Sequence, residues 1–175
     1  DSGLISIGNY AFDNTTISEI YLPDTLTSIG QGAFMNCEFL TSVTLPKNIE
    51  SIGNGVFYGC VNLREAVMPS GVKSIGEYAF YRCKKLDNIV LPSTLKNIGV
   101  SAFEKCYDLS NIVVPNGVEK IEEFAFSGCS SFTEIIIPNT IIQLGSYVFK
   151  DCFSLVSLSF EWGARLSDIP GGLCE

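Results

Sequence analysis

Residues 69–91 read PSGVKSIGEYAFYRCKKLDNIVL, and the same sentence is written again on either side of them. Cys83 recurs as Cys37, Cys60, Cys106, Cys129 and Cys152, at one unvarying interval that equals the length of the quoted stretch. Phe34, Phe57, Phe80, Phe103, Phe126 and Phe149 stand three positions before those cysteines, and Pro23, Pro46, Pro69, Pro92, Pro115 and Pro138 keep the same period. A period of about 23 residues, held over many copies, means a stack of like coils. The chain is read as a solenoid, in which each coil packs only on its neighbours.

Within the quoted coil the apolar positions are Val72, Ile75, Ala79, Phe80, Leu86, Ile89 and Leu91, with Cys83 among them. One coil earlier they are Ile49, Ile52, Val56, Phe57, Leu63, Ala66 and Met68; one coil later Leu95, Ile98, Ala102, Phe103, Leu109, Ile112 and Val114. These columns stay apolar, as stacked inward positions must. Leu86-x-x-Ile89-x-Leu91 ends in the alternation of a half-buried strand, and Pro92, which has no ladder donor, closes it. A second short extended piece is expected over Leu95 to Ile98. Ala102 to Cys106 has the composition of one helical or 3-10 turn on the opposite side. Stacked strands predict one parallel sheet, buried on one face and solvated on the other.

Residues 1–160 make seven coils, and 161–175 a partial, irregular eighth repeat. The first coil is a residue shorter than the rest and holds Thr15 in the cysteine slot. Ile169 to Cys174 echoes Leu144 to Phe149 at a spacing of 25, which puts Cys174 in the phenylalanine column. Neither end carries the polar cap solenoids need for solubility. No signal peptide pattern is read at the start, and the chain is read as a fragment or mature piece of something longer.

The pattern L-x-x-[IVL]-x-L-P-x-x-[VL]-x-x-I-G-x-x-A-F-x-x-C resembles the BspA-like leucine-rich repeat family. Leu40, Val43, Leu45, Pro46, Ile52, Gly53, Phe57 and Cys60 carry the match, with the same slots in later coils. Glu122 replaces the usual glycine, and Phe132 and Phe160 replace leucine. The resemblance implies an α/β fold, a right-handed leucine-rich-repeat solenoid with its parallel β-sheet on the concave face and short helical or 3-10 turns opposite. It also implies an extracellular or cell-surface protein of a microbe. Some family members are adhesins for matrix or plasma proteins such as fibronectin and fibrinogen.

The 175 residues carry a net charge of −8, which repels phosphate backbones. The one basic cluster, Arg82, Lys84 and Lys85 with Lys105, reads as a solvated rim, so no nucleic-acid partner is expected. No apolar run approaches a membrane span. With no histidine, Ser-His-Asp and Cys-His machinery is excluded, and no catalytic residue or cofactor is assigned. Glu122 and Glu123 diverge on a turn, and Glu19, Glu65 and Glu134 stand two or three coils apart, about 10 to 15 Å, too far for paired carboxylate chemistry. Even the nearest two cysteines, Cys152 and Cys174, stand almost a whole coil apart, unlike the ligands of a zinc knuckle, so no metal site is expected. Cysteines stacked about 5 Å apart with parallel Cα–Cβ vectors miss the converging geometry of a disulfide. They are read as a ladder of buried thiols, with Cys174 the reactive one.

On the strand face one outward column is Tyr21, Thr44, Val67, Val90, Val113 and Ile136, ending at Ser159. Beside it runs a polar rail of Glu19, Ser42, Glu65, Asn88, Asn111, Glu134 and Ser157. An apolar stripe with a polar rim is the anatomy of a protein-binding surface; β-branched residues also simply suit strands. Both readings stand. Tyr10, Tyr78, Phe124 and Tyr147 on the turn face, with Tyr58 and Tyr81, are read as lids over the core or as interface anchors. The expected function is a non-enzymatic protein-interaction module, part of an adhesin. The alternative is a passive spacer presenting another domain, and self-association through the stripe or the ends is a third reading.

Overall fold

The computed structural model describes residues 3–163 and 165–174; positions 1, 2, 164 and 175 of the two predicted segments lie outside them. The strands follow in the order β1 (Ser6–Ile7), β2 (Ser28–Ile29), β3 (Ser42–Thr44), β4 (Ser51–Ile52), β5 (Glu65–Val67) and β6 (Ser74–Ile75). After them come β7 (Asn88–Ile89), β8 (Asn97–Ile98), β9 (Lys120–Ile121), β10 (Glu134–Ile137), β11 (Gln143–Leu144) and β12 (Ser157–Phe160). Each strand pairs in parallel with the equivalent strand one coil away: Ile75 opposes Ile52 and Ile98, and Ala66 opposes Val43 and Ile89. The register advances by one full coil at every pairing, and only at β1 and β2 does it come one residue sooner, where Ser6 faces Ser28 across the short first coil.

The single expected sheet is in fact two stacks. One holds β1-β2 and β4-β6-β8-β9-β11; the other holds β3-β5-β7 and β10-β12. The second extended piece, read once at Leu95 to Ile98, recurs in every coil as a Ser-Ile or Asn-Ile pair or its like, and therefore stacks as well. Residues 111–114 lie between β7 and β10 and belong to no strand, so the stripe-bearing sheet is interrupted at the fifth coil.

The core runs between the two stacks and the turn face. Phe12, Phe34, Phe57, Phe80, Phe103, Phe126 and Phe149 stack face to face, with centroids 5.2–5.9 Å apart and planes within 17° of parallel. From Phe34 to Phe149 the rings are buried, as are the six periodic cysteines. Cys37, Cys60, Cys83, Cys106, Cys129 and Cys152 are free thiols. Each donates its S–H to the carbonyl of the previous coil's phenylalanine, at 3.0–3.2 Å. Cysteine suits this slot because it is small and apolar yet still carries a weak donor.

The turn face corrects another expectation: among the described residues there is no α or 3-10 helix. Two left-handed residues punctuate each turn. One column is Tyr10, Gly32, Gly55, Tyr78, Ser101, Phe124, Tyr147 and Gly172; the other is Asn14, Asn36, Gly59, Arg82, Lys105, Gly128 and Asp151, all with φ between 53° and 72°. Tyr78 sits third in the turn closed by Ala79 N–H to Gly76 O, and Arg82 third in the turn closed by Cys83 N–H to Phe80 O. Positive φ at that place is what a type II turn requires, and it stops helix propagation. The remaining donors are used between coils: Tyr78, Phe80 and Arg82 donate to Val100, Ala102 and Glu104 at 2.8–2.9 Å. A helix would need those N–H groups for its own carbonyls.

At the C-terminal end, Phe149 N–H donates to Leu173 O, as Phe126 N–H does to Val148 O. Leu173 thus takes the place of Val148, and Cys174 follows in the phenylalanine column as its spacing predicts.

Candidate functional site

The predicted stripe is present and exposed. Ala66, Ile89, Ile112 and Ile135 point into the core, so the residues on either side of each face solvent together. Val90 and Val113 are 76% and 81% exposed, Ile136 57%, Val67 44% and Tyr21 90%. Thr44 and Ser159 are exposed as well. The rail lies alongside: Glu19, Ser42, Asn88, Asn111 and Glu134 are exposed, and Glu65 is half-buried. All ten predicted residues therefore share one face. Shallow clefts indent it near both ends, one among Glu19, Tyr21, Ser42 and Thr44, the other among Val113, Glu134 and Ile136.

The other strand stack is an internal control for strand propensity. Its outward column is Ser6, Ser28, Ser51, Ser74, Asn97, Lys120 and Gln143, polar in every coil. Both stacks are built of short parallel strands with similar inward aliphatics. Strand propensity alone would fill both outward columns with β-branched residues. It fills only one.

Charge separates the two stacks further. Beside the second stack, Glu50 accepts from Lys73 at 2.8 Å and Glu119 lies 3.2 Å from Lys96, each pair bridging adjacent coils. Lys73 holds the Glu50 carboxyl below its ordinary range by hydrogen bond and charge. Asp24 pairs with Lys47 at 3.3 Å and Glu104 with Lys105 at 3.1 Å. Among the described residues, Glu19, Glu65 and Glu134 take part in no ion pair; Glu65 accepts only from the Asn88 amide, at 2.7 Å. Nothing in the sequence separated paired from unpaired carboxylates until the columns were laid coil on coil.

The turn-face aromatics close over the core and over each other. Tyr58 and Tyr81 stack at 4.8 Å, and Phe124 and Tyr147 at 5.2 Å. Lys105 lies 5.1 Å over the Tyr81 ring and donates to its hydroxyl at 2.9 Å. That hydroxyl first, then Glu104, raises the lysine above its ordinary range. The Tyr10 ring fills the space a side chain on Gly32 would take, since a Cβ there would lie 2.5 Å from it. Of the basic cluster, Lys85 donates to Asn62 and Lys105 is engaged as above. Exposed apolar residues outside both columns, Val156 and Trp162, were not singled out by periodicity because their columns are polar in earlier coils, and Phe153 stands in a mixed column with Lys84 and Ser130 beside Val61 and Tyr107.

This geometry, seven like coils with stacked phenylalanines and short parallel strands paired from coil to coil, is that of a leucine-rich repeat. The model of the BspA type leucine rich repeat region matches residues 5–121 and 96–170, in six copies, and the chain belongs to that family. It is similar to the leucine rich repeat protein of T. pallidum, with 30% identity and a TM-score of 0.80, over 86% of this chain and 71% of that one. A leucine-rich repeat protein from Bacteroides ovatus matches at 26% identity and TM-score 0.65, over 89% of this chain and 49% of its own. The pneumococcal vaccine antigen PcpA shares the fold at 24% identity and TM-score 0.67, over 91% of this chain and 36% of its own. No curated protein matches the chain. Among the described residues no helix is long and apolar enough to cross a membrane.

Proposed function

We propose that the chain is a non-enzymatic protein-interaction module of a microbial surface or secreted protein, engaging its partner through the Val67–Ile136 stripe. The observation that carries this reading is the contrast between the two strand stacks: one outward column is polar in every coil, the other presents four successive aliphatics. Apolar surface left in water at four adjacent coils is unfavourable unless something covers it. Family membership supports the class of function, and the rigid stack supplies a face whose shape does not depend on the partner.

The partner proposed from the family resemblance is a host matrix or plasma protein such as fibronectin or fibrinogen. Immobilised fibronectin and fibrinogen are expected to capture the protein saturably at about micromolar concentration. Val90→Glu with Val113→Glu is expected to weaken capture about a hundredfold while leaving the circular dichroism spectrum unchanged, because both side chains project into solvent. Undiminished capture by that variant would show that the stripe is the wrong face. Absence of saturable capture on either ligand would favour the passive spacer.

A further inference from the structure

From the unpaired carboxylates beside the stripe we infer that the face accepts one extended polypeptide segment in which cationic and aliphatic residues alternate, laid along the solenoid axis. This rests on the stripe being the docking face and adds what docks there.

Four carboxylates elsewhere on the molecule are answered by a lysine from the same or an adjacent coil, in Glu50–Lys73, Lys96–Glu119, Asp24–Lys47 and Glu104–Lys105. None of the rail carboxylates that flank the apolar stripe is answered in this way among the described residues. Glu19, Glu65 and Glu134 have only serine and asparagine above and below them in their column, and Arg64, next to Glu65 in sequence, forms no ion pair among the described residues. Carboxylates in a protein of net charge −8 raise the local negative potential, and a cation brought by a partner is the complement that lowers it.

The spacing sets the order of the partner's residues. Glu65 and Glu134 are three coils apart, about 14 Å at the interstrand spacing. An extended chain advances about 3.3 Å per residue, so cations at i and i+4 reach both carboxylates. Its side chains alternate left and right. Those turned away from the rail, at i+1 and i+3, fall on the aliphatic column at Val90 and Val113, the most exposed of its four aliphatics. Rail and stripe both face outward with one inward residue between them, as Glu65, Ala66 and Val67 show. One strand-like segment therefore meets both columns with a simple two-residue alternation.

The probe is a capped nine-residue peptide alternating lysine and valine, compared by fluorescence anisotropy with a peptide of the same composition that groups its lysines at one end. The alternating peptide is expected to bind at least about tenfold more tightly than the grouped one. Glu65→Gln with Glu134→Gln is expected to weaken the alternating peptide about five- to tenfold and to reduce its sensitivity to salt. Val90→Thr with Val113→Thr, which keeps the β-branch, is expected to weaken it by a similar factor. Equal binding of the two peptides, or an unchanged affinity for the glutamine variant, overturns the inference. If either occurs while Val90→Glu with Val113→Glu still weakens fibronectin or fibrinogen capture as expected, only the chemistry of the partner is wrong. If that capture also survives, the choice of face falls with it.

Discussion

Between pH 8 and pH 10, in the presence of reductant, the folded protein is expected to lose about 5 kcal/mol of stability, with Tm falling by about 15 °C. Cys60, Cys83, Cys106 and Cys129 have no solvent-exposed surface. Burial pushes each thiol up from an ordinary value of 9.0, and for Cys60, Cys83 and Cys129 neighbouring thiols in the column add to the rise. The sign follows from which state keeps its protons. Below pH 9 folded and unfolded chains are alike protonated and the stabilisation is fully present. Above it the unfolded chain ionises while the folded one cannot, so stability is lost as pH rises. At pH 10 each fully buried thiol accounts for about 1.4 kcal/mol of that loss. Four together approach the whole net stability of an ordinary domain, about 5–15 kcal/mol. Cys152, at the edge of the column, is pushed only to about 12, so its share of the loss begins at the same pH and levels off first. Thermal unfolding monitored by circular dichroism across this range checks the claim. Replacing Cys83 and Cys106 with alanine should halve the slope, and a wild-type curve flat to pH 10 would contradict it.

Phe103→Ala is expected to destabilise the protein by about 4 kcal/mol in urea unfolding. Phe103 is fully buried, with the rings of Phe80 and Phe126 at 5.2 and 5.3 Å on its two faces. Removing it takes away ring burial and leaves a cavity open to both neighbours. The adjacent coils are held apart by backbone ladders on the turn face and at Ile98–Ile121, so the hole cannot collapse. Because coils stabilise one another only in series, the loss should also lower the m-value as the stack separates into two shorter units. Phe12→Ala offers the comparison. Its ring is half-buried at the end of the column with one stacking partner, and about 2 kcal/mol is expected there. A loss below about 1.5 kcal/mol at Phe103 would mean that the rings do not form a continuous stack.

The period carried most of this fold because a solenoid repeats its contacts as well as its residues. Phe80 predicted Phe103, Ile75 predicted Ile98, and the inward and outward faces of each strand followed from alternation around Ala66 and Ile89. Even the irregular end was legible, since the Phe149 to Leu173 hydrogen bond spans two residues more than Phe126 to Val148, as the spacing of 25 that places Cys174 requires. The turns were not. Ala79, Phe80 and their neighbours are compatible with a helix, and Tyr78 and Arg82 are residues that seldom adopt positive φ. The signal was in the columns rather than the coil: Gly32, Gly55 and Gly172 share a slot with Tyr78, and Gly59 and Gly128 with Arg82. The thiol-to-carbonyl bonds were hidden for a different reason. They join residues 25 or 26 apart, one coil plus a turn, and no periodicity of residue type reports on them.

The candidate site was legible as a face, since all ten of its residues are where alternation put them. What the sequence did not separate was propensity from purpose. That needed the second strand stack, whose polar outward column exists only once Ser74 and Asn97 are seen to pair as strands.

The central claim is that like side chains stack on like in one continuous spiral, and counting reactive sulfhydryls with a thiol reagent at pH 8 tests it most directly. Of the seven cysteines, one, the exposed Cys174, should react at once, and the other six only after concentrated guanidinium is added. Fast reaction of most of them in the native protein would contradict the stack.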